Sequence, residues 1–227
     1  IQEFNLPVYL KYGAIDQIDN KIIYLDNNAE IYLFDLENKF FKKIPSPKLN
    51  NNKNSFIKKY EEELGTVRLR NLFGLRDIFI GKFNGNRNLI ISSLEYKDIN
   101  DCYSLSLFKL NLNSINGDLS NEKWSKGFTS EPCIRVDITP DELFAAGSSG
   151  GRIVQLDEEN ILLTVGDFYS DGVNGPNLSQ NLDNDYGKTF KVNIFTNEKK
   201  MFSLGHRNQQ GLFITDEKKI FSTEHGP

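Results

Sequence analysis

Apolar residues in this chain arrive in short runs that are never long enough to be helices. The first third reads GAIDQI, KIIYL and EIYLFDL, separated by Asp19-Asn20 and Asp26-Asn27-Asn28, and Pro45 and Pro47 close the group. Each run suits a strand and each gap suits a tight reversal, which is the signature of an antiparallel meander. From Leu69 the rhythm resumes as RDIFIGKF, NLIISSL and YSLSLFKLNL, with Asn84-Gly85 supplying the positive dihedrals of a hairpin turn. The last hundred or so residues repeat it as RVDIT, ELFAAG, GRIVQLD, NILLTVGDF, KTFKVNIF, KMFSLG, GLFITD and KIFSTE.

One segment breaks the rhythm. Ser55 can cap a helix over Phe56 to Leu64, where Phe56, Tyr60 and Leu64 recur every fourth residue and Gly65 stops it. A polar stretch around residues 113–126 connects the middle group to the last, with Trp124 and Phe128 expected to pin it down.

Strands in groups with a period near 40 to 50 residues, and no long helices between them, exclude an alternating strand-helix architecture. The fold expected is an all-β propeller. A single blade would leave an apolar face and bare edges exposed, so blades must pack around an axis. About four blades are expected, near residues 8–48, 66–112, 132–168 and 186–227, with the short helix near 55–64. Closure into a five- or six-bladed ring would then need missing blades, or a protein partner at the open strand edges.

Composition narrows the function. The chain has 227 residues, 27 Lys plus Arg against 31 Asp plus Glu and a net charge of −4, so no broad positive field exists to hold a phosphate backbone. A nucleic-acid role is not expected. No run approaches the roughly 20 apolar residues of a membrane helix. Cys102 and Cys133 could form one bridge in an oxidising compartment or remain thiols in a reducing one. Only His206 and His225 can supply imidazoles.

The polar turns carry the candidate chemistry. Ser148-Ser149-Gly150-Gly151-Arg152 offers close backbone approach and a rigid guanidinium fork, which equally suits an arginine buttressing a neighbouring blade. Asp167 opens a long loop with Asp171, and Asp183 and Asp185 follow; together they could give calcium hard oxygen ligands, although the helix-loop-helix calcium pattern fails and Asx-turns explain them as well. Gly205-His206-Arg207-Asn208 places an imidazole, a guanidinium and an amide on one turn, a set suited to a planar anion. Asp16, Asp77, Asp137 and Asp167 are conceivable contributors to one axial calcium in a hydrolase-type propeller.

Taken in order, SSGGRI, ILLTVGD, DYGKTFKV, SLGHRNQQGL and FSTEHGP resemble the soluble glucose/sorbosone dehydrogenases, the pyrroloquinoline-quinone-dependent aldose sugar dehydrogenases. The likeness covers roughly Pro132 to Pro227, and NLFGLRDIFIGKF with NRNLIIS resembles an early-blade motif of that family. The resemblance implies a six-bladed propeller, usually exported to the periplasm or cell surface, that oxidises an aldose at C1 to the lactone. It points to Arg207 and Asn208, with Arg152, as quinone contacts, and to the carbonyls of Gly226 and Pro227, with Asp167, as holders of the cofactor's calcium.

The chain also departs from that pattern. Ser148 stands where the family has its general-base histidine, and Gly147 where an acid often precedes it. Leu69-Arg70-Asn71-Leu72 and Gly81-Lys82 replace further motif residues. A neutral serine hydroxyl cannot take the sugar's proton near pH 7, and losing a positioned base typically costs about 10² to 10⁴ in rate. The expectation is therefore a dehydrogenase-like propeller that has lost sugar oxidation and acts as a binding or structural protein, with carbohydrate a possible ligand. The alternative is a working quinone- and calcium-dependent enzyme whose base comes from elsewhere.

Overall fold

The computed structural model describes residues 13–64, 73–112, 117–136, 145–173 and 176–226. Its strands form successive antiparallel meanders. The first sheet runs β1 (Gly13–Ile18), β2 (Lys21–Asp26), β3 (Ile31–Asp35) and β4 (Phe40–Ile44) in that spatial order. After helix α1 (Lys53–Leu64) the second sheet runs β5 (Leu75–Phe83), β6 (Asn86–Lys97), β7 (Cys102–Asn111) and β8 (Ser125–Thr129), and the short β9 (Ile134–Arg135) also pairs with β7. The third sheet runs β10 (Gly150–Gln155), β11 (Asn160–Val165), β12 (Lys188–Asn193) and β13 (Lys199–Leu204), and β14 (Asn208–Ile214) pairs with β15 (Ile220–His225) in a two-stranded sheet. This is a β-propeller whose ring is incomplete among the described residues. Strands expected from sequence in a third and a fourth group, β10–β11 and β12–β13, share one sheet, and β14–β15 begins the next.

Local chemistry explains the meander. Asp19 and Asn84 adopt left-handed backbone conformations in the β1–β2 and β5–β6 turns, where Asp and Asn tolerate them best. The second sheet is buried on both faces, one against the first sheet and the other against the third. One core joins Ile23, Leu25, Ile31 and Leu33 of the first sheet to Leu89, Ile91, Phe108 and Leu110 of the second. The other joins Ile90, Leu105 and Leu107 of the second to Ile161, Leu163 and Phe190 of the third. The unbroken apolar run Leu89-Ile90-Ile91 in β6 follows from this double burial.

The first strands lie side by side around the axis: β1 packs on β5, β5 on β10 and β10 on β14. A repeated device ties them. Asp16 Oδ2 accepts the Ile80 N–H at 2.6 Å, and Asp77 Oδ2 accepts the Ile153 N–H at 2.9 Å, so each carboxylate spans from one sheet to the next. These are two of the four aspartates considered for an axial calcium. Their oxygens serve as inter-sheet clasps, and Asp137 lies outside the described residues.

Helix α1 begins two residues before Ser55. Asn51 Oδ1 accepts the Lys53 N–H at 3.2 Å and so takes the capping role, while its amide reaches Ser93 Oγ and anchors the helix to β6. Phe56 and Tyr60 face the core as the four-residue spacing requires, and Gly65 lies outside the described residues. Trp124 donates to the Pro47 carbonyl at 2.9 Å, and Phe128 is buried, so both hold the connecting stretch. Of the two states open to the cysteines, Cys102 and Cys133 are bridged. Among the described residues no helix is long and apolar enough to cross a membrane.

Candidate functional site

Antiparallel meanders bring the starts of β10, β12 and β14 and the ends of β11, β13 and β15 to the same rim of the ring. The glycine-rich and polar turns therefore meet there. Backbone bonds lace them together: Gly166 N–H donates to Ser149 O at 2.9 Å, Phe168 N–H to Ser148 O at 3.0 Å and Asp167 N–H to Arg207 O at 2.8 Å. Gly187 N–H donates to Gly166 O and His206 N–H to Gly187 O. Gly166 must lack a side chain, because a Cβ would run into the Ser148 carbonyl.

Ser148 ends a short 3₁₀ turn, Ala145–Ser148, and is buried. Its hydroxyl donates to Asp167 Oδ1 at 2.8 Å, and the same oxygen accepts the Tyr169 N–H at 2.9 Å. Burial pushes the Asp167 carboxyl above its ordinary range, a rise that the Ser148 and Tyr169 bonds only partly offset.

Asn208 is almost fully engaged. Its Oδ1 accepts the Gly150 N–H at 3.1 Å and the Gln210 amide at 2.6 Å, and its Nδ2 donates to Gly147 O at 3.3 Å. Arg207 donates from one terminal nitrogen to Gly226 O at 2.8 Å, places Nε 3.9 Å from Asp171 Oδ2 and lies over the Tyr169 ring. Its backbone N–H donates to Glu224 Oε2 at 3.0 Å.

Arg152 sits apart from this group, on the strand that faces the second sheet. It spans three elements, donating to Asp77 Oδ1 on β5 and to Gln210 Oε1 on β14, each at 3.3 Å. Burial raises the Asp77 carboxyl, and the Ile153 N–H and Arg152 work against that rise. Arg76, on β5, donates to Ala146 O at 3.1 Å; burial and then the like charge of Arg152 bring its guanidinium down to about 10.

The rim thus gathers Ser148, Asp167, Arg207, Asn208 and Gly226, and it gives Arg152 the buttressing geometry. Pro227 lies outside the described residues. Of the other loop acids, Asp171 faces Arg207, whereas Asp185 accepts the Glu131 N–H and pairs with Lys199 at 2.5 Å. Among the described residues no cluster of three His, Cys, Asp or Glu side chains is placed to hold a metal ion. Sequence reasoning gave no role to Tyr169, Gln210 or Glu224. Gln210 stands two residues beyond Asn208, the strand spacing that returns a side chain to the same face.

A sequence model of the glucose/sorbosone dehydrogenase family matches residues 62–227. No curated protein matches the chain. The match spans well over half of the sequence, and the chain belongs to that family.

Proposed function

Starting from membership of the glucose/sorbosone dehydrogenase family, we propose that this propeller holds a polyhydroxylated ligand such as an aldose at the rim without oxidising it. The observation that carries this reading is Ser148. It stands at the position expected of the base, and its only hydroxyl proton is donated to Asp167. A hydroxyl in that role presents no acceptor poised near neutral pH. The neighbouring carboxylate, amide and guanidinium groups are the types that pair with sugar hydroxyls.

The residues present do not fit a quinone–calcium pair as the resemblance would place it. The Gly226 carbonyl accepts from the Arg207 guanidinium, so a divalent cation on that oxygen would sit beside a fixed positive charge. Asn208 has three protein partners, and the Arg207 charge is met by Asp171. The Cys102–Cys133 bridge supports residence in an oxidising compartment, in line with an exported protein.

A second reading rests on one observation: a carboxylate, Asp167, lies 2.8 Å from Ser148 Oγ with its proton affinity raised by burial. In that reading Asp167 is the acceptor for the sugar's proton. The two are separated by adding pyrroloquinoline quinone and calcium to the purified protein, following dye reduction over a panel of aldoses, and recording saturation-transfer NMR with the same sugars. Sugar binding with no reduction is expected. Cofactor-dependent reduction that disappears in Asp167→Asn would overturn the binding-only reading in favour of the second.

A further inference from the structure

Three side chains, from the end of β13, the GHRN turn and β15, form a relay that neither reading uses. Ser203 Oγ lies 2.7 Å from His206 Nε2, and His206 Nδ1 lies 3.5 Å from Glu224 Oε1. The two ring nitrogens thus face different partners, a hydroxyl on one side and a carboxylate on the other. That is the order nucleophile, base, orienting acid, recognised by geometry rather than by position in the chain. We propose that Ser203, His206 and Glu224 form an acyl-transfer site that hydrolyses esters of short carboxylic acids.

The fold holds each member in place. Ser203 is near the end of β13. Gly205, at φ +87°, reverses the chain so that the imidazole of His206 returns over that strand. The turn is fixed by Gly205 N–H donating to Ser179 O at 3.2 Å and His206 N–H donating to Gly187 O at 3.0 Å. Glu224 reaches in from β15 with its second oxygen occupied by the Arg207 N–H, which leaves Oε1 for the imidazole. In the tautomer that carries its ring proton on Nδ1, toward Glu224, Nε2 accepts from the Ser203 hydroxyl.

Ser203 and His206 are half-buried, which keeps the hydroxyl within reach of solvent-borne esters. An amide donor is close by: a Cβ on Gly205 would stand 2.9 Å from Gln180 Nε2.

The step balances without any cofactor. Ser203 Oγ bonds to the ester carbonyl carbon as its proton passes to His206 Nε2. The carbon–oxygen bond to the alcohol breaks, and the alcohol leaves with that proton. Water then attacks the acyl-serine, gives a proton to Nε2 and releases the acid, and Oγ regains its proton. The sum is ester plus water to acid plus alcohol.

The test uses the whole chain with two probes, p-nitrophenyl acetate turnover and a fluorophosphonate whose attachment is located by peptide mass spectrometry. The label is expected on Ser203 and nowhere else at comparable occupancy. Turnover is expected to vanish in Ser203→Ala and to fall by about 10²-fold or more in His206→Gln, the usual worth of a positioned base. The loss in His206→Gln is expected to fall on kcat with little change in KM, a split that a purely structural role would not give. Labelling equal to that of the urea-unfolded protein, or labelling at another serine, overturns the proposal on the unsubstituted chain and needs no variant to fold.

Discussion

The Ser148 hydroxyl donates to Asp167 Oδ1 across 2.8 Å, joining the turn before β10 to the loop after β11. Burial raises the Asp167 carboxyl, so the folded state binds its proton more tightly than the unfolded chain does. The stabilising contribution of this group is then full below its unfolded value and is lost as pH rises through the folded one. Asp167→Asn keeps the acceptor oxygen for Ser148 and Tyr169 but removes the charge. Thermal unfolding from pH 3 to 8 should show a melting temperature for this variant that is less sensitive to pH, and no lower than the parent's at pH 7. Ser148→Ala should cost about 1 kcal/mol, the net worth of one hydrogen bond.

Arg152 is a clamp between sheets, and that role sets its cost on removal. The pair with Asp77 is partly buried, with side-chain exposures of 32% and 17%. Its value should fall between that of exposed pairs, at about 0–1 kcal/mol, and that of fully buried ones, where breaking one partner costs about 3–5 kcal/mol. Arg152→Met is expected to lose about 1–3 kcal/mol in urea unfolding. A double-mutant cycle with Asp77→Asn should return a coupling of comparable size. No coupling would show that the arginine is held for some purpose other than the sheet contact.

Much of this architecture was legible in the sequence because strand length and turn chemistry are local. Asn84-Gly85 announces its hairpin, and the four-residue spacing of Phe56 and Tyr60 announces α1. The grouping of strands was harder to read, since β11 and β12 are separated by a loop as long as some that separate sheets, and nothing local says which neighbours will pair. The rim residues Ser148, Arg207 and Asn208 could be picked out by type and motif. The partners of Asp77 and Asp16 could not, because an aspartate on an inner strand reads equally as a metal ligand or as an acceptor for a distant N–H. The Ser203–His206–Glu224 relay depends on a turn and a neighbouring hairpin meeting, which no spacing rule encodes.

The Cys102–Cys133 bridge links β7 to the segment that leads into β9, across a sequence separation of 31. Closing a loop of that length in the unfolded chain is worth roughly 3–4 kcal/mol by the chain-entropy relation. Replacing both cysteines by serine should lower stability by an amount of that order. Thiol titration of the denatured, unreduced protein should find no free thiol, and two after reduction; two thiols before reduction would contradict the bridge.

Asp101 should be one of the carboxylates that shape the acid side of stability. Burial alone would raise its carboxyl, but hydrogen bonds from Lys59, Tyr60 and Tyr96 outweigh burial and hold it down at about 2. Those donors come from α1 and β6, so the ionised carboxylate fastens the helix to the second sheet. The sign follows from the lowered value. Asp101 contributes stability that is present above its ordinary value of 3.8 and is lost as pH falls toward about 2. Asp101→Asn keeps an acceptor for the two tyrosines but gives up the charge facing Lys59. Its melting temperature is expected to sit below the parent's at pH 5–7 and to converge on it by about pH 2. Parallel curves over that range would mean that the carboxylate's charge does not hold the helix.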